Sequence, residues 1–275
     1  MRKILIAFDS DNFSEAALGF AQQLNEKNPI LLTAAFLPQV DLAYVWSYSP
    51  GGYAGTSYIP LVEDEEAESI KENIRKVESF CIKNHIEYRI HKDFFDLATP
   101  ALKKETRFAD LLIISSSSFY EQIGSEKPNE YLREILHQSE CPVIVVPEEF
   151  DFPASNVLAY DGSETSVYAI KQFAYLFPEL AGNETILIYF RENEEKKFPD
   201  EINIEELAAR HFSNLTLLRM QGNPHKYLST WLMDKKNSML VTGSYGRSDI
   251  SRMFKKSFAA EAISDHKLPV FIAHK

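Results

Sequence analysis

Gly243 and Gly246 stand three residues apart, just after the apolar run Met239–Val241. Arg247, Arg252, Lys255 and Lys256 follow within ten residues, and Ser257 closes the stretch. A phosphate needs several backbone N–H groups converging on one point, and it favours a helix N-terminus. Glycine permits positive φ and lets an anion approach the backbone closely. The four cations could neutralise a polyphosphate, and Ser257, at the expected start of a helix, could add a hydroxyl and an N–H. The same residues also suit an ordinary turn followed by a solvated basic loop on an acidic chain. No other catalytic chemistry competes. His85, His91, His137, His211, His225, His266 and His274 are scattered, and Cys81 and Cys141 lack metal-type spacing. There is no G-x-S-x-G elbow and no G-x-x-x-x-G-K-[ST] loop. No acid/base pair reads as catalytic, so an enzyme is not expected, although a slow ATPase stays open.

The elements that must hold this loop repeat along the chain. "ILIAFDSDNFSEAA", from Ile4, is similar to "VLAYDGSETSVYAI", from Val157, with Ala7-Phe8-Asp9 against Ala159-Tyr160-Asp161. "ADLLIISSSS" parallels "NSMLVTGSYG", and "CPVIVVP" parallels "LPVFIAH". The apolar period predicts strands at 3–8, 30–36, 86–91, 111–115 and 143–146, alternating with helices at 13–25, 63–84, 96–107 and 129–138. The second copy predicts strands at 156–160, 185–190, 214–220, 238–242 and 269–273, with helices at 164–177, 203–211, 224–235 and 257–264. Asn12 and Glu15 have capping-box spacing and mark the first helix start. Phe13, Ala17, Phe20, Ala21 and Leu24 make one apolar face of that helix; Ile170, Phe173, Ala174 and Phe177 make that of its counterpart. Such alternation gives an α/β chain of two tandem doubly wound, five-stranded parallel sheets. The stretch 147–156, rich in proline and acid, makes a linker between domains at 1–147 and 155–275. The fifth strands, Val143–Val146 and Val270–Ala273, are almost wholly apolar, so each is expected to cover the other's edge in an internal pseudo-dimer. The loop 39–60, with its five aromatics, is either a surface excursion or a lid or partner contact.

The formal net charge of −11 argues against nucleic-acid binding and a membrane-surface role. Apolar residues make up 45% of the chain, which excludes global disorder. No run approaches the roughly 20 apolar residues of a membrane span, and Asp9 stops the N-terminal apolar run too early for a signal peptide. A cytoplasmic location is expected.

The chain resembles the universal stress protein family in a tandem two-domain form. The resemblance rests on "DGSETS" (161–166), "GNP" (222–224) and "TGSYGRS" (242–248), in that order. It implies strand order 3-2-1-4-5 and an adenine nucleotide, ATP or AMP with magnesium, in a crevice between strands one and four. Asp161 and Gly243 would then face each other there, with Asp161 contacting a ribose, helping to hold magnesium or simply making a turn. The family's loop continues from the second glycine by nine residues to a further Gly and then Ser or Thr. Ser257 matches, whereas Lys256 stands where that glycine should be. The adenine position at the end of strand two falls on Phe36 and Phe190, whose rings could stack on the base or fill the pocket. In the first copy Ser115 and Ser118 replace the loop glycines and Phe94 replaces Gly222, so that site looks degenerate. The resemblance thus implies a stress-response regulator with Asp161, Phe190, Gly243, Gly246, Arg247, Lys256 and Ser257 as nucleotide contacts. The competing reading is a scaffold without nucleotide that works through a protein partner. Further homodimerisation stays open.

Overall fold

The computed structural model describes residues 1–8, 13–36, 64–92, 98–116, 136, 138–191, 199–221, 231, 235, 237–243 and 268–273. The first half contributes β1 (Arg2–Phe8), α1 (Glu15–Lys27), β2 (Ile30–Phe36), α2 (Asp64–Lys83), β3 (Glu87–Lys92), α3 (Ala98–Arg107), β4 (Leu111–Ser115) and β5 (Val143–Val146). The second contributes β6 (Ser155–Tyr160), α4 (Glu164–Leu176), α5 (Pro178–Ala181), β7 (Glu184–Arg191), α6 (Glu201–His211), β8 (Asn214–Gln221), β9 (Ser238–Gly243) and β10 (Val270–Ala273). These bounds follow the sequence expectation to within two residues at nearly every end. The short α5, opened by Pro178 at its first turn, was not expected. The helix expected at 257–264 and the loop 39–60 lie outside the described residues, as do most of 129–138 and 224–235.

One sheet of ten strands runs β3-β2-β1-β4-β5-β10-β9-β6-β7-β8. Each half reads 3-2-1-4-5, with every neighbour parallel except at the join. There β5 and β10 pair antiparallel, Val145 with Val270, Ile144 with Phe271 and Val143 with Ile272. Ile144 and Phe271 hold the same place in their strands, so the local two-fold axis passes between them. The two expected five-stranded sheets are therefore continuous.

Strand alternation buries both faces, as expected of a parallel sheet covered on two sides. Ile4, Ile6 and Phe8 join one core, and Leu5 the other. Their counterparts Leu158 and Tyr160 join the first core and Val157 the second. Equivalent residues thus share a face, which sets the two-fold axis perpendicular to the sheet. Helices α1, α2, α4, α5 and α6 each bury an apolar face in the first core, while Ala101 and Leu102 of α3 enter the second. Helices change face where the strand order reverses, as right-handed crossovers require.

The halves are welded by more than the seam. Behind the seam, within the second half, Phe173 of α4 meets Phe271 edge-on at 5.4 Å, and Phe177 meets it at 6.0 Å. Arg2 of β1 pairs with Glu179 at 2.6 Å, donates to the Leu176 carbonyl at 2.7 Å and lies 5.1 Å from the Phe177 ring centroid. The expected linker is docked as well, since Phe150 and Phe152 pack on Phe20 at 5.5 and 5.2 Å.

Two local expectations need correction. The first helix is capped by Ser14, whose hydroxyl accepts from the Ala17 N–H at 3.0 Å, so the helix starts after Ser14 and not at the Asn12–Glu15 box. Its counterpart is capped by Ser163. The match of Ala7-Phe8-Asp9 to Ala159-Tyr160-Asp161 therefore holds along the strand and slips by three residues in the helix. Six residues connect β1 to α1, and three connect β6 to α4.

Candidate functional site

In an open α/β sheet the crevice lies at the carboxyl ends of the strands where the order reverses. In the second half that is between β6 and β9, which pair in parallel up to Leu158 and Val241 and end at Tyr160 and Gly243. Asp161 and Gly243 therefore stand at one mouth.

Asp161 makes a turn there. The Ser163 N–H donates to its Oδ1 at 2.9 Å, an Asx turn that leads into the helix. Gly162 follows at φ +84°, a conformation that disfavours a side chain. Ser163 then caps α4, accepting from the Ser166 N–H at 3.1 Å, and the Ser166 hydroxyl returns a bond to the Ser163 carbonyl at 2.9 Å. Six residues thus fold into one hydrogen-bonded corner.

Two close approaches, one by backbone and one by a proline ring, hold that corner from outside. A Cβ on Gly243 would lie 2.4 Å from the Thr165 carbonyl carbon and 2.6 Å from the Ser166 nitrogen. A Cβ on Gly162 would lie 2.5 Å from Cγ of Pro199. The expectation that Gly243 supplies a positive φ is corrected here. Among the described glycines only Gly162 has one, and Gly243 is required because the end of β9 touches the first turn of α4.

Pro199 is also held from below. The Tyr160 hydroxyl donates to its carbonyl at 2.9 Å. Burial, reinforced by the carboxylates of Asp200 and Asp161, raises the phenol pKa above its ordinary value and keeps it a donor. A pocket of about 480 Å³ opens beside the corner, lined by Tyr160, Gly162, Ser163, Lys171, Asp200 and Asn203 among others. Sequence reading missed Tyr160 and Pro199. Nothing local announces a contact between residues 39 apart.

The register also moves the expected adenine wall. Phe8 pairs with Phe36, and its counterpart Tyr160 pairs with Tyr189. The structural equivalent of Phe36 is thus Tyr189, one residue before Phe190. The backbone of Phe190 pairs with Met220. Gly246, Arg247, Lys256 and Ser257 lie outside the described residues. Among the described residues no group of three His, Cys, Asp or Glu could hold a metal ion, and no helix is long and apolar enough to cross a membrane.

The first half differs at each point. Ser115 ends β4, buried, with its hydroxyl bonded to the Glu148 carboxylate. The next amide, Ser116 N–H, donates to the Val146 carbonyl at 2.8 Å. Phe36 is fully buried and stacks on Phe8 at 5.2 Å, and Phe8 stacks on Phe13 at 5.6 Å. Asp9, Phe94 and Ser118 lie outside the described residues.

No protein-family model and no curated protein matches the sequence. Solved structures do match the fold. A universal stress protein from Archaeoglobus fulgidus aligns over 100% of this chain and 96% of its own at 17% identity, with a TM-score of 0.73. A putative universal stress protein from Pseudomonas aeruginosa covers 100% and 93% at 12% identity and 0.54. A protein of unknown function from the same species covers 100% and 92% at 13% identity and 0.53. Over its whole length the chain has the fold of universal stress proteins in a tandem arrangement.

Proposed function

We propose that the chain is a stress-response regulator that holds an adenine nucleotide, ATP or AMP, in its second domain (155–275), while its first domain (1–147) serves as scaffold. The observation that carries this is the seat of Gly243. Absence of a Cβ lets the end of β9 press on the N-terminal turn of α4, beside the Asp161 corner. A strand end, a glycine and a helix N-terminus meeting at a switch point make a setting that favours an anion. From Gly243 the chain runs on to Gly246, Arg247, Lys256 and Ser257, which we assign to the phosphates. The backbone of Tyr189 and Phe190 would flank the base. Magnesium, where it accompanies ATP, is bound chiefly by phosphates with one or two carboxylates, and Asp161 offers one.

Calorimetry of the full chain with ATP, ADP and AMP, with and without magnesium, tests this reading. Binding of at least one nucleotide is expected, and silence with all three overturns it. Lys256 sharpens the test. As a phosphate-facing cation, Lys256→Ala weakens ATP binding by about 1–3 kcal/mol, more than AMP binding. If Lys256→Gly instead binds better than the parent, the lysine is an obstruction.

The second reading, a scaffold without nucleotide, draws on the first half. There Glu148 occupies Ser115, and the Phe13–Phe8–Phe36 stack fills the space beside the strand ends. A chain that binds no nucleotide extends that condition to both halves.

A further inference from the structure

The corner Asp161–Ser166 is gripped on two sides, and only one grip belongs to the expected loop. Gly243 presses on Thr165 and Ser166, whereas Pro199 presses on Gly162. Pro199 is itself tied to the strand that feeds the corner, through the Tyr160 hydroxyl. Strand β6, the turn and the start of α6 therefore close a ring of contacts: Tyr160 to Pro199 by a hydrogen bond, Pro199 to Gly162 by contact, and Gly162 to Tyr160 along the chain. The first half has Phe8 at the Tyr160 position, without a hydroxyl, and Ser10 at that of Gly162.

We propose that Tyr160 and Pro199 form a clasp that presets the Asp161 turn, so that a nucleotide entering the β6/β9 mouth meets a turn already shaped for it. The inference rests on the nucleotide reading for its ligand and on the contacts alone for its mechanics. Tyr160 is a positioning residue, since it acts on the turn through Pro199. A preset turn spares the ligand the entropy of ordering it, and the saving appears as affinity. With the phenol cut back to phenyl, Pro199 loses its tether while the ring that fills the core remains. The loss is then local, because Phe8 shows that phenylalanine fits at this place in the fold.

The test is Tyr160→Phe in the full chain, read by two measurements. Without nucleotide, hydrogen exchange at the Ser163 and Ser166 amides should quicken by about tenfold, the scale of one lost hydrogen bond. Exchange in the distant strands β1 and β2 should stay as in the parent. With ATP, the dissociation constant should rise by a similar factor. Pro199→Ala, which keeps the carbonyl and removes the ring from Gly162, should speed the same amides. Unchanged exchange at Ser163 and Ser166 in both variants overturns the clasp. Faster exchange with unchanged ATP affinity overturns its link to the ligand. A parent that binds no nucleotide overturns the functional reading, and the exchange arm still decides the clasp.

Discussion

At the ends of β4 and β9 the two halves solve one problem in opposite ways. In the second half Gly243 gives up a side chain so that two backbones can touch, leaving a mouth bordered by a three-residue turn. In the first, Ser115 keeps its side chain and bonds to Glu148, a six-residue connection replaces the tight turn, and Phe36 packs on Phe8. The same strand position thus accommodates two different local arrangements in one fold. Gly243 is fixed by that backbone contact and Ser115 by its hydrogen bond, so each strand end is accounted for by its own packing.

Three experiments would break or sharpen this contrast. The largest effect belongs to the seam. Phe271, fully buried at the two-fold axis beneath Phe173 and Phe177, should cost about 4 kcal/mol when changed to Ala. If the halves form one energetic body, chemical denaturation keeps a single transition at a lower midpoint. Two separated transitions in the parent would mean that the halves answer to different forces, and the contrast between their mouths would lose its common frame.

Next in size is the pair Gly243→Ala and Ser115→Ala. The first drives a methyl into the backbone of Thr165 and Ser166 and should cost about 3 kcal/mol. The second loses one hydrogen bond to Glu148 and should cost about 1 kcal/mol. Equal costs in urea denaturation would show that the two strand ends are packed alike after all.

The smallest effect uses Cys81 and Cys141, which both lie in the first half. Burial pushes their thiol pKa values up to about 11 and about 12. The unfolded chain ionises its thiols near pH 9, while the folded one holds them protonated. Their share of stability is therefore whole below pH 9 and is lost as pH climbs through about 11 and 12. The denaturation midpoint should fall from pH 8 to pH 10, and less so in Cys141→Ala. Thiol labelling at pH 8 reads opening of the first half alone. Saturating nucleotide should slow it if the body is continuous.

Most of the framework was legible because it rests on local period: apolar alternation marked the strands, and the repeat marked the two halves. Even the pairing of the fifth strands followed from their lack of any polar residue. What escaped depended on contacts across the sheet. Phe36 aligns with Phe190 by eye, yet hydrogen bonding to β6 sets Tyr189 opposite Tyr160. The Asn12 box was a plausible start, but it is the Ser14 hydroxyl that accepts from the Ala17 N–H and caps the helix. The DGS sequence announced a turn and did not announce Pro199 lying on its glycine. Gly243 was singled out for its own torsion, and the backbone gives it a different constraint, its neighbour's proximity.

The antiparallel seam has a consequence for how such a molecule can change. Two identical subunits joined through the same strands would receive every substitution twice, once on each side of the axis. A mutation that closed one mouth would close both. With both partners on one polypeptide, meeting is guaranteed at any protein concentration. Each side can then be edited alone while the other keeps its trade. Ser115 and Gly243, unlike residues at equivalent strand ends, are an asymmetry that a symmetric dimer has no means of writing down.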